Sequence, residues 1–399
     1  MDHYNGSMKI KRAIESTVRD LATQYRIVTI TGPRQSGKTT LCKMAFPGLP
    51  YVSLENPDVR DAATADPVSF LNRHRATGVV LDEIQNLPQI LSYIQGIVDE
   101  DEQAGQFILT GSHQFSLMEG ISQSLAGRTA LVRLLPFSIA ESQMIEKIDH
   151  LEEYLFRGFY PGVWSQSLEP TGYYRDYFET YVQRDVRQML QVKDLRLFRN
   201  FVRLCAGRVG QCFNASDIGN NLGVSSHTVK SWLSVLEASY IIYLMEPFSS
   251  NTGKRMVKSP KLYFYDVGLA SYLLGLSSPD RIFPDRMRGP LFENMVIVEL
   301  LKDRYNHNME ANLCFYRDRK QHEVDVLLMH GSRFDCVEIK SSATFTPGFL
   351  KGIDYLKRTA PDSIARSYLI YAGKMDGTIQ ETELLNYRQI EETMPARSH

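Results

Sequence analysis

Gly32-Pro33-Arg34-Gln35-Ser36-Gly37-Lys38-Thr39 has the form G-x-x-x-x-G-K-[ST], a phosphate-binding loop. Its flanks decide the fold. Upstream, Arg26-Ile27-Val28-Thr29-Ile30-Thr31 is rich in β-branched residues and long enough for a buried strand. Downstream, Thr39-Thr40-Leu41-Cys42-Lys43-Met44-Ala45 continues as a helix. Strand, turn and helix N-terminus aim backbone amides and the positive end of a helix dipole at one point, which suits a polyphosphate. Gly32, Pro33, Arg34, Gln35, Ser36, Gly37, Lys38, Thr39 and Thr40 are therefore the expected nucleotide-binding segment. Gly32 and Gly37 let the backbone approach phosphate oxygens because no Cβ intervenes. Lys38 is expected to reach the β and γ phosphates as a point charge. The Thr39 hydroxyl is expected to ligate Mg²⁺.

A second apolar run, Gly78-Val79-Val80-Leu81-Asp82-Glu83, ends in two carboxylates, as a buried parallel strand does where it opens into a site. Asp82 is expected to hold the hydrated Mg²⁺ and Glu83 to polarise the attacking water. A plainer use of the pair is to cap the segment that follows. A third strand, Gln106-Phe107-Ile108-Leu109-Thr110-Gly111-Ser112, offers Ser112 or Thr110 to orient the water or sense the γ-phosphate. Further strands near Tyr51–Leu54 and Ala130–Leu134 complete the alternation that a parallel α/β sheet requires.

Residues 150–210 read as helical, with breaks at Gly158, Pro161 and Gly162, and suit a lid over the nucleotide. Asn214 to Lys230 reads as helix, a turn at Gly223, then a helix capped by Ser225 or Ser226. Val229, Trp232, Leu233 and Leu236 of the second helix are expected to face inward. Ile241–Pro247 and Lys261–Asp266 read as wing strands, with the basic stretch Lys254-Arg255-Met256-Val257-Lys258 between them. Two uses stay open, a DNA-reading winged helix and a packing module between domains. Arg184, Arg187, Lys193, Arg196, Arg199 and Arg203 add positive charge to the preceding helices.

From about residue 288 the pattern becomes helix, strands, helix. Pro290 to Leu301 is an amphipathic helix bearing Glu293, followed by strands Glu323–Leu328 and Asp335–Lys340. Strand alternation turns Glu338 and Lys340 to one face and Val337 and Ile339 to a core. Asp325, Glu338 and Lys340 can then converge. Two hard carboxylates hold Mg²⁺, and a lysine beside them positions or deprotonates water for attack on a phosphodiester. An ion-paired sheet edge would use the same residues.

These stretches resemble a known group. Residues 1 to about 140 look like an AAA+ ATPase module, similar to a bacterial and archaeal ATPase family with a C-terminal domain of unknown function. The shared text is Thr31–Thr39, Leu81–Gln85, Leu109–Ser112, Leu125–Arg128, Leu135–Ser138, Gly158–Pro161, Gln183–Asp185, Glu323–Asp325 and Glu338–Lys340. The resemblance implies an ATPase core, a winged-helix-like middle and a nuclease-like end. That end resembles the PD-(D/E)XK nuclease core, with Glu293, Asp325 and Glu338 as metal carboxylates and Lys340 as the base. Glu323 stands where that pattern often has proline. Arg128 is the candidate for an arginine finger from a neighbouring subunit, or else a surface arginine at a turn.

The formal net charge of -1 over 399 residues gives no overall basic field to capture nucleic acid, so any such binding needs local patches. Five scattered cysteines without a C-x-x-C pair predict neither a zinc site nor a disulfide frame, which fits a reducing cytosol. No apolar run approaches the roughly 20 residues of a membrane span, and the first residues lack a secretory apolar segment. The expectation is a cytoplasmic α/β protein with an AAA+ parallel sheet over 1–145, a helical lid and winged helix over 146–285, and a nuclease-like α/β domain over 286–399. Its cofactors would be ATP and Mg²⁺, its partners DNA and further copies of itself, with no membrane. ATP hydrolysis would control the C-terminal centre. The alternative is an ATP-driven DNA- or protein-binding switch that cuts nothing.

Overall fold

The computed structural model describes residues 10–101, 103–112, 124–181, 194–249 and 258–393. Arg184, Arg187, Lys193 and the stretch Lys254 to Val257 lie outside the described residues.

The first sheet contains β1 (Ile27–Thr31), β2 (Tyr51–Ser53), β3 (Val79–Asp82), β4 (Phe107–Gly111) and β5 (Thr129–Arg133). Their order is β2-β3-β4-β1-β5 and every pairing is parallel. Both faces are covered, because alternate residues feed two separate apolar layers. Ile27, Leu81, Phe107 and Leu109 pack with Ile94 of helix Ile90–Glu100 on one side. Val28, Ile30, Val80 and Ile108 pack with Val18 of α1 (Glu15–Gln24) and Leu41 of α2 (Lys38–Ala45) on the other. The expected strands are present within a residue at each end.

In the middle region, α3 (Leu151–Arg157) and α4 (Pro170–Tyr181) precede α5 (Leu195–Ala206). Next come α6 (Ala215–Leu222) and α7 (Ser226–Ala238), a helix-turn-helix. Asn214 caps α6, Gly223 turns the chain at φ +70°, and Ser225 caps α7. Val229, Trp232, Leu233 and Leu236 are buried, while His227 and Lys230 are exposed. Strands β6 (Ile242–Met245) and β7 (Lys261–Phe264) then pair antiparallel.

Helix α8 (Arg288–Asn306) leads into the second sheet. This contains β8 (Leu313–Arg317), β9 (Glu323–His330), β10 (Arg333–Lys340), β11 (Ile364–Tyr371), β12 (Gly377–Ile379) and β13 (Thr382–Asn386), in the order β12-β13-β11-β10-β9-β8. β8, β9 and β10 run antiparallel, whereas β10-β11 and β11-β13 are parallel. One apolar core runs continuously from Leu135 and Phe159 through Trp232 and Leu262 to Val337 and Ile339. The segment that follows β6 also touches the second sheet through backbone, since Phe248 N donates to Phe315 O at 2.7 Å.

Helix α8 is longer than the predicted Pro290–Leu301 because its polar end is buried in pairs. Lys302 donates to Glu299 at 2.5 Å and to the Phe137 carbonyl at 2.7 Å. Glu299 in turn accepts from Ile139 N at 2.8 Å. Near the helix C-terminus the Asn306 carbonyl accepts from the Thr17 hydroxyl of α1 at 2.6 Å.

Candidate functional sites

Three strands of the first sheet deliver their C-terminal ends to one spot, where open parallel sheets generally bind ligands. β1 leaves through Gly32, β3 ends at Asp82, and β4 ends beside Ser112. A Cβ on Gly32 would run into the Leu134 carbonyl oxygen, so only glycine lets the loop turn there. Gly37 caps α2 at φ +94°, in the left-handed region. Arg34 is half-buried, while Gln35 and Thr40 are exposed.

This turn buries Lys38, whose ammonium donates to the carbonyls of Gly32 at 3.0 Å and Pro33 at 2.8 Å. Burial pushes it down to about 8, against the pull of Glu83 and Asp82. Neutral carbonyls satisfy the ammonium without cancelling its charge. The Ser36 hydroxyl is fully buried and has no hydrogen-bond partner. A glycine-shaped loop, an uncancelled ammonium, an orphaned hydroxyl and the unpaired amides of a helix's first turn fit a polyphosphate.

Asp82 is gripped by three hydroxyls. Thr39 donates to its Oδ2 at 2.7 Å, Tyr51 donates to the same oxygen, and Thr110 donates to Oδ1. Thr39 and Asp82 together are hard oxygen donors that fit Mg²⁺, with water completing the shell. Glu83 follows at φ +57°, uncommon outside glycine. Its carboxylate accepts from the Ser112 hydroxyl at 3.2 Å and from the Gln85 amide. The two candidates at the end of β4 thus divide: Thr110 serves Asp82 and Ser112 serves Glu83.

Arg12 fixes the outside of the loop. It is buried and donates to the carbonyls of Ser36 at 2.9 Å and Leu135 at 2.8 Å, and pairs with Glu141 at 2.9 Å. From the helical region, the Tyr173 hydroxyl of α4 donates to the Gln35 side chain at 2.6 Å. Arg128 lies apart from this site. Its guanidinium pairs with Asp99 at 2.5 and 2.9 Å on a partly exposed surface.

The second cluster joins α8, β9, β10 and β7. Lys340 donates to Asp325 at 3.2 Å and Glu338 at 2.5 Å, so these three sequence-predicted residues do converge. Ile339 N also donates to Asp325 at 2.8 Å. Glu293 is held differently, by Lys261 at 3.2 Å and the Tyr263 hydroxyl at 2.6 Å. Lys261 further pairs with Glu323 at 2.5 Å, which Arg317 approaches at 3.3 Å. Among the described residues no three His, Cys, Asp or Glu side chains gather as metal ligands. Glu293, the third expected carboxylate, is engaged by Lys261 and Tyr263 beside that pair. Burial and then Asp325 push Glu338 up to about 8, with Lys340 opposing. Burial works to lower the Lys340 ammonium, yet Asp325 and Glu338 more than offset it and raise it.

Tyr51, Arg12, Lys261 and Tyr263 escaped the sequence reading. Only Lys261 left a local trace, as the single charge opening the apolar strand Lys-Leu-Tyr-Phe.

Residues 24–143 match the family model described as AAA domain. This N-terminal stretch is thus similar to AAA domains. Two models described as domains of unknown function match the remainder, DUF8612 over residues 148–280 and DUF4143 over residues 288–390. The uncharacterized proteins Rv2008c of Mycobacterium tuberculosis and Mb2031c of Mycobacterium bovis are each 27% identical over 379 residues, covering 91% of this chain and 82% of theirs. Among solved structures, the Walker-type ATPase PABY2304 of Pyrococcus abyssi is similar at TM-score 0.46 and 13% identity, over 68% of this chain and 99% of its own. AMPPCP-bound DnaA from Aquifex aeolicus is similar at TM-score 0.30 and 14% identity, over 56% and 85%. Among the described residues no helix is long and apolar enough to cross a membrane.

Proposed function

We propose that the chain is a Mg²⁺-dependent ATPase whose nucleotide cycle controls the C-terminal carboxylate centre, a nuclease-like site for DNA. The observation that carries the ATPase half is the grip of Thr39 on Asp82, with Glu83 next in sequence and tied to Ser112. Lys38 and the amides of residues 32–40 hold the phosphates, and Thr39 and Asp82 hold the ion, which supplies charge neutralisation along the triphosphate. Glu83 accepts the proton of the attacking water. Ser112 and Gln85 set the orientation of that carboxylate. Arg12 and Glu141 keep the loop in register from behind.

Phosphate release by the full chain with Mg-ATP tests this. Glu83→Gln should retain nucleotide affinity and lose turnover by about 10²-fold or more, whereas Lys38→Ala should lose affinity. Unchanged turnover in Glu83→Gln would sink the role. Arg128, held by Asp99 in its own chain, is proposed to act only across a subunit contact. Nucleotide-dependent growth in mass and loss of turnover in Arg128→Ala are then expected together.

In the C-terminal half, Asp325 and Glu338 are proposed to hold a divalent cation and Lys340 to position or deprotonate water for attack on a phosphodiester. Scission of a short duplex with Mg²⁺ or Mn²⁺ should disappear in Asp325→Ala and Lys340→Ala. One observation favours the alternative, a binding switch that cuts nothing: Lys340 already bridges both carboxylates. ATP-dependent retention of DNA on a filter without scission would select that reading.

A further inference from the structure

The C-terminal centre holds two lysines in one posture. Lys340 bridges Asp325 at 3.2 Å and Glu338 at 2.5 Å, and Lys261 bridges Glu293 at 3.2 Å and Glu323 at 2.5 Å. Their origins differ. Lys340 belongs to β10 of the second sheet, whereas Lys261 comes from β7, the ribbon that follows the helix-turn-helix.

Their surroundings differ as well. Tyr263 adds a hydrogen bond to Glu293 at 2.6 Å and Arg317 adds a pair to Glu323 at 3.3 Å. Positive and negative groups therefore balance in that half. Asp325 and Glu338 share a single ammonium. Glu338 is 7% exposed, and its Oε2 has no hydrogen-bond partner. The orphaned oxygen therefore lies at the Asp325 and Glu338 end of the cluster.

We propose, building on the cation-binding reading of this centre, that it takes one divalent cation at Asp325 and Glu338, and that Lys261 occupies the place at Glu293 and Glu323 that a second cation would need. Two carboxylates suffice for Mg²⁺ or Mn²⁺, which keep several waters. Lys261 cannot swing aside alone. It is 2% exposed, and its strand is pinned by Gly210 N donating to Leu262 O at 2.9 Å and Leu262 N donating to Gln211 O at 3.1 Å. Burial disfavours its charge, but Glu293, Asp325 and Glu323 together keep it an ammonium. The centre is thus complete only with a side chain from the middle region, and the cation count is set by the ribbon.

The test is a Mn²⁺ titration of the full chain without nucleotide, read by the electron paramagnetic resonance of free Mn²⁺. Asp325→Ala identifies the ions bound at this centre by subtraction. The wild type should lose one Mn²⁺ per chain with Asp325→Ala. Lys261→Met should bind one more, and Lys261→Met with Glu293→Gln should return to one. Two ions lost from the wild type, or no second ion in folded Lys261→Met, would overturn the role of Lys261 while leaving the cation site standing. No Mn²⁺ lost with Asp325→Ala in any arm would overturn the cation site itself and this proposal with it. Should Lys261→Met fail to fold, the wild-type count alone decides.

Discussion

Lys38 is a buried lysine and Lys340 a half-buried one, each beside the end of a parallel pairing, and their acidities move in opposite directions. Lys38 faces two neutral carbonyls and is pushed down to about 8 by burial. Lys340 faces two carboxylates, which lift it above its ordinary value despite burial. The difference is one of commitment. An ammonium satisfied by dipoles keeps its charge for an incoming anion, while one satisfied by anions has already spent it on its neighbours.

Removing each lysine should expose that difference most strongly. Lys340→Met leaves Asp325 buried beside Glu338 without its ammonium partner, which should lower stability by about 3–5 kcal/mol at neutral pH. Lys38→Met removes a costly buried charge and strands no charged partner, so its denaturation midpoint should hold or rise. Equal losses would break the comparison.

The pH dependence of unfolding should carry the same contrast with a defined sign. The folded value of Lys38, about 8, lies below its ordinary 10.5. Between these the unfolded chain binds more protons, so stability rises with pH across the window, by about 3 kcal/mol. Lys38→Met should lack this rise. Lys340 has the reverse sign: its contribution is complete below the unfolded value and fades only at higher pH.

Nucleotide affinity comes next. Calorimetry with Mg-ATP should show Lys38→Ala weakened about 100-fold, or about 2.7 kcal/mol, with Lys340→Ala unchanged. The smallest effect belongs to the exposed pair of Arg128 and Asp99. Arg128→Ala should leave the denaturation midpoint nearly unchanged, because exposed pairs contribute little, which calibrates the buried pairs.

The first site was legible because each of its pieces carries a local pattern of its own. A glycine loop between a β-branched run and a helix has few other uses, and Asp82-Glu83 and Thr110 to Ser112 end apolar runs that can only be strands. Asp325, Glu338 and Lys340 were readable for a related reason, since strand alternation places Glu338 and Lys340 on one face. What stayed hidden depends on long-range packing. Arg12 meets Glu141 across 129 positions, and Lys261 meets Glu293 across 32. Neither partnership leaves a local period. The end of α8 misled for another reason. Lys302, Asp303 and Arg304 look solvated by type but are all buried, and for Lys302 the partners are Glu299 and the Phe137 carbonyl.

Helix α8 also gives the two proposed sites a common chassis. At one end Glu293 receives Tyr263 and Lys261; two turns on, Glu299 and Lys302 grasp the backbone at Ile139 and Phe137, immediately beside the carbonyls that Arg12 clamps behind the loop. An uninterrupted helix transmits axial slip almost undiminished. If the two sites communicate as proposed, a slip of about 1.5 Å, one residue's rise, delivered at Phe137 would be enough to uncouple Glu293 from Tyr263, and a push-rod no longer than a single helix would serve.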